Sequence, residues 1–356
     1  MQPFLETANQ IAWEIKTGKY PDTLPSIANL AEQFQICPST VKRILFLLRD
    51  WDLVTGEHGR CVRVNPKAVG NVYFHKNVVI LAELSTIATP FYTKTLEQLT
   101  QSLNALNICV HVFISENQVK ECAFNPDCAV VINNHSRVIE ESLLEKFPKC
   151  SVVRLSFPSD KYPYVMSDGK KAGYEAMRHL VEDCGYTQIG ILTTQLMYTR
   201  NSFKLRYDGA LDYVRKHKHV KLTMKEIPEL ELCSQTSFNL MEQLLKENPN
   251  INAIFATCDM LALGVYSYSA KHQLTIPDDI AVIGFDNENF GLTLSPQLTT
   301  MSENEQSTSQ HLYKVICDLL MDRKTQSEYL TDPLLIIRES TKVKNNLKII
   351  KYFLSI

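Results

Sequence analysis

Ile276-Pro277-Asp278-Asp279-Ile280-Ala281-Val282-Ile283-Gly284-Phe285-Asp286 joins a turn to an apolar run of strand length and ends on an acid. Ile276-Pro277 followed by two aspartates reads as a turn and a helix or strand cap, not as a carboxylate pair for acid–base chemistry. The run 280–285 is continuous rather than alternating, which suits a strand covered on both faces. An acid placed directly after such a strand is costly unless something needs it, so Asp286 is a candidate binding residue.

Working outward, further runs of this kind occur at 78–84, 108–114, 129–132, 152–155, 189–192 and 253–256. Helical stripes separate them at about 92–106, 138–146, 169–183, 203–217, 236–247 and 260–270, and another follows at 305–321. Short apolar strands alternating with helices predict parallel sheets of the doubly wound α/β class. About 260 residues of this pattern overfill one such sheet, so residues 78–341 are expected to form two lobes. Ligands of open α/β sheets sit beyond the strand C-termini. Those positions here hold Phe91 and Tyr92, Cys258 and Asp259, and Asp286, while Arg206 lies near a helix start. Aromatics that stack on a sugar face, with Asp and Arg for its hydroxyls, would make a polyol pocket between the lobes.

The first 66 residues read differently. Phe4 to Thr17 carries an apolar face of Leu5, Ala8, Ile11, Ala12 and Ile15. Ser26 can cap a second helix, and a third runs from about Ser39 with Val41, Ile44, Leu45 and Leu48 inward. Thr55 to Val64 alternates around Gly56 and Gly59 as a small hairpin would. Helix, helix, turn, helix, hairpin is the layout of a winged helix-turn-helix, whose third helix can enter a major groove. Ser39, Thr40, Lys42 and Arg43 lie on its first turns. Between residues 38 and 67 six bases face three acids, a modest local excess of positive charge. Charged faces are common on helices, so a solvated surface is the competing reading of Lys42 and Arg43.

Two family resemblances sharpen this. Leu24-Pro25-Ser26, Leu30-Ala31, Phe34, Thr40-Val41, Leu48 and Leu53-Val54 resemble the GntR-type winged-helix head. That resemblance implies that the third helix reads DNA and that His58-Gly59-Arg60 forms the wing tip near the minor groove. Pro38 and Ala28 stand where family members usually carry arginine, so the operator sequence does not carry over. The body strings Ser167-Asp168-Gly169, His179-Leu180, Gly185-Tyr186, Arg206-Tyr207-Asp208-Gly209-Ala210, Ala262-Leu263-Gly264, Ile276 to Asp286 and Leu335 to Thr341 resemble the LacI/GalR-type effector domain, itself similar to periplasmic sugar-binding proteins. Together the two halves resemble the arabinose-repressor-like class of bacterial regulators. By position, the resemblance implies stacking by Phe91 and Tyr92 and hydroxyl contacts from Arg206, Asp259 and Asp286. Cys258 stands where many members have Asn, and Ser156-Phe157 where many have Asp-Arg. Both changes remove hydrogen-bonding capacity at the implied site.

The bulk properties restrict the alternatives. The net charge of −2 rules out a uniformly basic nucleic-acid coat, so any DNA contact must be local. No run approaches the length of a membrane span. Met1 to Glu6 lacks the basic and apolar regions of a signal peptide, which predicts a cytoplasmic location and disfavours an exported sugar-binding protein of a transport system. The ten cysteines contain no C-x-x-C pair and read as reduced thiols. Phosphate-loop, dinucleotide, nucleophile-elbow and H-E-x-x-H motifs are missing, so no enzyme, cofactor or metal is expected. Sequence reading thus assigns 1–66 to a DNA-binding head, 67–77 to a linker, 78–341 to a sugar-binding body and 342–356 to a tail. The tail could be an added helix, an oligomer contact or a frayed end. The expected partners are operator DNA, a monosaccharide or derivative, and a second copy of the chain, because one weakly basic head binds poorly alone.

Overall fold

The computed structural model describes residues 3–16, 19–56, 61–66, 76–133, 137–194, 202–228, 231–321 and 323–342. The wing-tip residues His58, Gly59 and Arg60, most of the linker, and the tail beyond Lys342 lie outside the described residues.

The head comprises α1 (Pro3–Lys16), α2 (Ile27–Gln33), α3 (Pro38–Asp50) and a two-stranded antiparallel ladder of β1 (Val54–Thr55) and β2 (Arg63–Val64). Ser26 caps α2 by accepting from the Asn29 N–H at 3.2 Å, and Pro38 occupies the first turn of α3, where its missing N–H costs nothing. Val41, Ile44, Leu45 and Leu48 bury the inner face of α3. Thr23 bridges to Arg63 and ties the α1–α2 connection to the ladder.

Lobe one begins with β3 (Asn77–Leu81), α4 (Leu84–Ile87), α5 (Pro90–Asn104), β4 (Cys109–Phe113), α6 (Glu116–Glu121), β5 (Cys128–Ile132), α7 (Arg137–Lys146), β6 (Ser151–Leu155) and β7 (Tyr164–Ser167). The chain then crosses to lobe two. There α8 (Gly169–Arg178) runs on through a π turn at His179–Asp183 to β8 (Gln188–Thr194), α9 (Ser202–Lys216), β9 (Lys221–Ile227), α10 (Ser234–Glu247), β10 (Ala253–Ala256), α11 (Asp259–Lys271), β11 (Ala281–Phe285) and β12 (Thr299–Ser302). It returns through α12 (Glu305–Leu320) to β13 (Glu328–Thr331) in lobe one, then ends in lobe two with β14 (Leu334–Ile336). The sheet orders are β13-β7-β6-β5-β3-β4 and β14-β12-β11-β10-β8-β9. Every neighbouring pair is parallel except β12–β14.

Among the apolar runs seen in the sequence, those forming β5, β10 and β11 are buried at every residue, whereas the run at 108–114 forms β4, a sheet-edge strand of which only Phe113 is buried. The expected strand at 78–84 ends at Leu81, because Glu83 opens the short α4 instead. β7, β9 and the two strands after α12 had no sequence signal; β9, at the sheet edge, is largely half-exposed and reads as polar. No disulfide joins any of the ten cysteines.

Candidate functional site

The site is built from strand ends, and α9 supplies its central charge. Two glycines allow α8 and α9 to cross closely: a Cβ on Gly173 would lie 1.8 Å from the Arg206 carbonyl oxygen, and one on Gly209 would lie 1.9 Å from that of Lys170. This crossing seats Arg206, 4% exposed, beneath the C-terminal ends of β10, β11 and β12. Its Nη1 donates to the Thr257 carbonyl at 2.6 Å, and its guanidinium lies 3.3 Å from the centroid of the Phe285 ring. Asp286 Oδ1 stands 3.5 Å from Nη1 and Glu303 Oε1 stands 3.7 Å from Nη2. The buried Arg206 Nε has no hydrogen-bond partner, a donor that an incoming acceptor would satisfy.

Lobe one answers from the other side. The Tyr92 hydroxyl donates to Asn133 Oδ1 at 2.9 Å, which joins the start of α5 to the end of β5. Burial pushes that hydroxyl far above its ordinary pKa, and Glu303 and Asp286 add to the effect while Ser156 and Arg206 oppose it. The carboxylates of lobe two therefore lie within electrostatic reach of Tyr92. Enclosure raises the Asp286 carboxyl well above its ordinary value, against the opposing pull of Arg206, and raises Glu303 in the same way. Asp286 still keeps 35% of its side-chain surface open, whereas Glu303 keeps 14%. Cys258, buried beside Asp286 and Arg206, has its thiol pushed up by burial.

The backbone is unusual at these ends. Asn133, Ser156, Asp286 and Asn287 have φ of 55°, 68°, 108° and 53°, where side chains other than glycine are uncommon. Each follows β5, β6 or β11, so the strain collects where the two lobes meet.

Not every residue expected at the site faces it. Phe91 belongs to the buried stripe of α5 with Thr95, Leu99 and Leu103, and meets Tyr92 edge-on with centroids 4.9 Å apart. Asp259 is fully buried behind the site. It accepts from the Glu288 N–H at 2.8 Å and from the Thr300 hydroxyl at 2.8 Å. A Cβ on Gly284 would lie 2.0 Å from its Oδ1, so glycine there leaves room for the carboxylate. Burial lifts the Asp259 pKa to about 7. Both oxygens are engaged, and Asp259 braces the loop that carries Asp286. Arg338 braces the same loop, donating to Asn287 Oδ1 at 2.6 Å and to the Leu298 carbonyl at 2.7 Å. Asp168 caps α8 through the Lys171 N–H at 2.8 Å, and Asp279 accepts from the Thr275 N–H at 2.7 Å, so both are local caps.

Sequence reading missed Glu303 and Asn133. Glu303 follows β12, whose residues Thr299-Thr300-Met301-Ser302 are too polar to read as a buried strand although all four are buried. Asn133 follows β5 directly, but as a neutral amide it lacks the charge that singled out Asp286.

On the head, Ser39, Lys42 and Arg43 are exposed and Thr40 is half-buried. Ser39 Oγ and Thr40 Oγ1 each lie 3.0 Å from Cys37 Sγ at the α3 N-cap. Those hydrogen bonds lower the Cys37 thiol to about 7. Arg43 rests over the Phe4 ring of α1 at 4.5 Å. Phe46, 68% exposed, shares this outward face and was not expected there.

Residues 177–341 match the periplasmic binding protein-like domain family. The chain is 25% identical over 203 residues to the HTH-type transcriptional repressor PurR of Klebsiella pneumoniae, covering 56% of this chain and 58% of that one. It therefore spans little more than half the length of the curated relatives it matches. A LacI family transcriptional regulator from Enterococcus faecium with bound ribose superposes with a TM-score of 0.60 at 19% identity, over 76% of this chain and all of that one. The transcription regulator CcpA of Lactococcus lactis superposes with a TM-score of 0.62 at 17% identity, over 75% of this chain and 99% of that one. The body thus has the two-lobed periplasmic-binding-protein-like fold and is similar in sequence to PurR-type repressors.

Proposed function

We propose that the protein is a DNA-binding transcription regulator, a repressor in its resting form, whose grip on an operator is set by a small effector held between the lobes. One observation carries this reading: a single chain joins a three-helix unit, with Lys42 and Arg43 on its outward face, to a two-lobed body whose strand ends gather Arg206, Asp286 and Tyr92. The relatives named as repressors support the same reading, and the ribose bound to the Enterococcus regulator supports a sugar as effector. The body's likeness to LacI-family proteins favours a LacI-type head. The β1–β2 ladder after α3, with its bridge to Thr23, favours instead a GntR-type winged helix, and we adopt that form.

The mechanism is linkage. An effector that touches Tyr92 from lobe one and Arg206 and Asp286 from lobe two favours one closure of the lobes. The helix α12 offers a route to the head. It starts two residues after Glu303, and Leu319, Leu320 and Met321 at its far end pack on an apolar cluster that also holds Ile11, Ile44 and Leu48 of the head. A homodimer would place two heads on one near-palindrome. Leu84, Val112 and Ile114 of lobe one are exposed apolar groups that suit such an interface. Among the described residues no helix is long and apolar enough to cross a membrane, and a cytoplasmic regulator is the setting we assign.

The test is the double variant Lys42→Ala/Arg43→Ala. Operator affinity should fall, and the slope of log affinity against log salt should drop by about one for each DNA phosphate that is no longer neutralised. Effector-induced thermal stabilisation should be unchanged. Equal DNA affinity and an equal salt slope would remove α3 from the interface.

A further inference from the structure

We infer that Glu303 sets the chemical class of the effector: with Asp286 it gives the described residues of the inter-lobe site an excess of negative charge that selects uncharged or ammonium-bearing polyols and rejects phosphorylated and acidic sugars. This rests on the effector-site reading above and names the ligand chemistry of that site. The geometry is specific. Among the described residues, two carboxylates face one guanidinium, at 3.5 and 3.7 Å. That guanidinium is not a free anion clamp. Its Nη1 already donates to the Thr257 carbonyl at 2.6 Å, and its face is covered by the Phe285 ring. A phosphate or carboxylate reaching for the one unpartnered donor, Nε, would still sit beside Asp286 and Glu303 and meet their charge.

The carboxylates themselves ask for donors. Neither the Asp286 nor the Glu303 carboxylate receives a hydrogen bond from any described residue; each meets Arg206 as an ion pair beyond close hydrogen-bond length. Carboxylate oxygens are chiefly acceptors, so the pair offers several empty lone-pair positions to hydroxyl or ammonium donors. Enclosure already lifts both groups above their ordinary pKa. An incoming cation or donor relieves that strain, and an incoming anion adds to it. Tyr92, hydrogen-bonded to Asn133, supplies an aromatic body without charge, which completes a site for a polar but non-anionic ring.

The experiment uses the full-length protein with calorimetry and thermal shift against four matched probes: D-glucose, D-glucosamine, D-glucose 6-phosphate and D-glucuronate, alongside the corresponding ribose and ribose 5-phosphate pair. Wild type should be stabilised by at least one neutral sugar or by glucosamine, and no phosphorylated or acidic probe should bind as well as its neutral parent. Glu303→Gln should narrow that preference about tenfold or more, as expected for removing one charge a few ångströms from a ligand anion. Glu303→Asp, which keeps the charge, should retain it and serves if the glutamine variant fails to fold. A phosphorylated or acidic probe that binds wild type more tightly than its neutral parent would overturn the inference while leaving the effector-site reading intact. Unchanged discrimination in Glu303→Gln would overturn the assignment to Glu303. No binding by any probe would overturn the effector-site reading beneath it.

Discussion

The two lobes share one strand order but contribute opposite chemistry to the space between them. Lobe two brings every charged group of the described site: Arg206 from α9, Asp286 after β11 and Glu303 after β12. Lobe one brings uncharged ones: Tyr92 from α5, Asn133 after β5 and Ser156 after β6. The charged network is internally paired and braced from behind by Asp259 and Arg338, so lobe two holds its half of the site before any ligand arrives. Lobe one offers a ring and neutral dipoles, which can meet a ligand as the lobes approach without a large desolvation cost. A pre-built grip on one side and a neutral lid on the other is an arrangement in which a bound ligand can bias closure.

That contrast can be broken most forcefully at Arg206. Arg206→Ala leaves two enclosed carboxylates without their partner, and removing one member of a buried ionic network typically costs about 3–5 kcal/mol. Lobe two should therefore melt markedly earlier, and effector stabilisation should vanish. A variant with wild-type melting would mean that the network is not a preformed unit.

A subtler break lies behind the site. In the unfolded chain the Asp259 carboxyl ionises near its ordinary value of 3.8, while burial holds it near 7 in the fold. The favourable contribution is thus fully present below the ordinary aspartate range and is lost as pH rises from 3.8 towards 7. Thermal melts at fixed ionic strength should show this decline in wild type. Asp259→Asn, which can still accept from the Glu288 N–H, should make it shallower, leaving the part due to Asp286 and Glu303. An identical pH profile in the variant would show that Asp259 is not the titrating brace.

The smallest effect is expected from the neutral side. Tyr92→Phe removes the hydroxyl that donates to Asn133 and keeps the ring, so effector affinity should weaken by about 0.5–1.5 kcal/mol. A loss as large as that of Arg206→Ala would place the dominant grip in lobe one and reverse the comparison.

Much of this architecture is legible in the sequence. Buried parallel strands such as β5, β10 and β11 announce themselves as continuous apolar runs, and the acid after β11 stands out because such a position is costly to fill without purpose. The head is legible for a related reason, since the Ser26 cap and the inward stripe of α3 are local signals. What stays hidden depends on tertiary packing. β12 is polar by composition yet buried, so the acid that follows it carries no visible mark. Asp259 and Asp286 look equivalent in sequence, each lying just past a buried strand. Only the fold reveals that one turns inward to Thr300 and the Glu288 N–H while the other keeps an open face. The positive φ values at Asn133, Ser156, Asp286 and Asn287 are likewise consequences of the assembled strand ends, and side-chain identity does not announce them.

Regulation of this kind requires coupling between the inter-lobe site and α3. The most direct measurement is fluorescence anisotropy of the DNA upstream of the protein's own coding sequence, titrated with full-length protein at fixed salt, with and without a sugar that stabilises the fold. A coupling free energy of about 1–3 kcal/mol is typical of such regulators, so the sugar should change the apparent Kd roughly 5- to 150-fold, with wild-type preference for this DNA over random duplex. In Asp286→Ala the preference should remain and the sugar response should be lost. The same affinity for random and upstream DNA, indifferent to the sugar, would contradict the account.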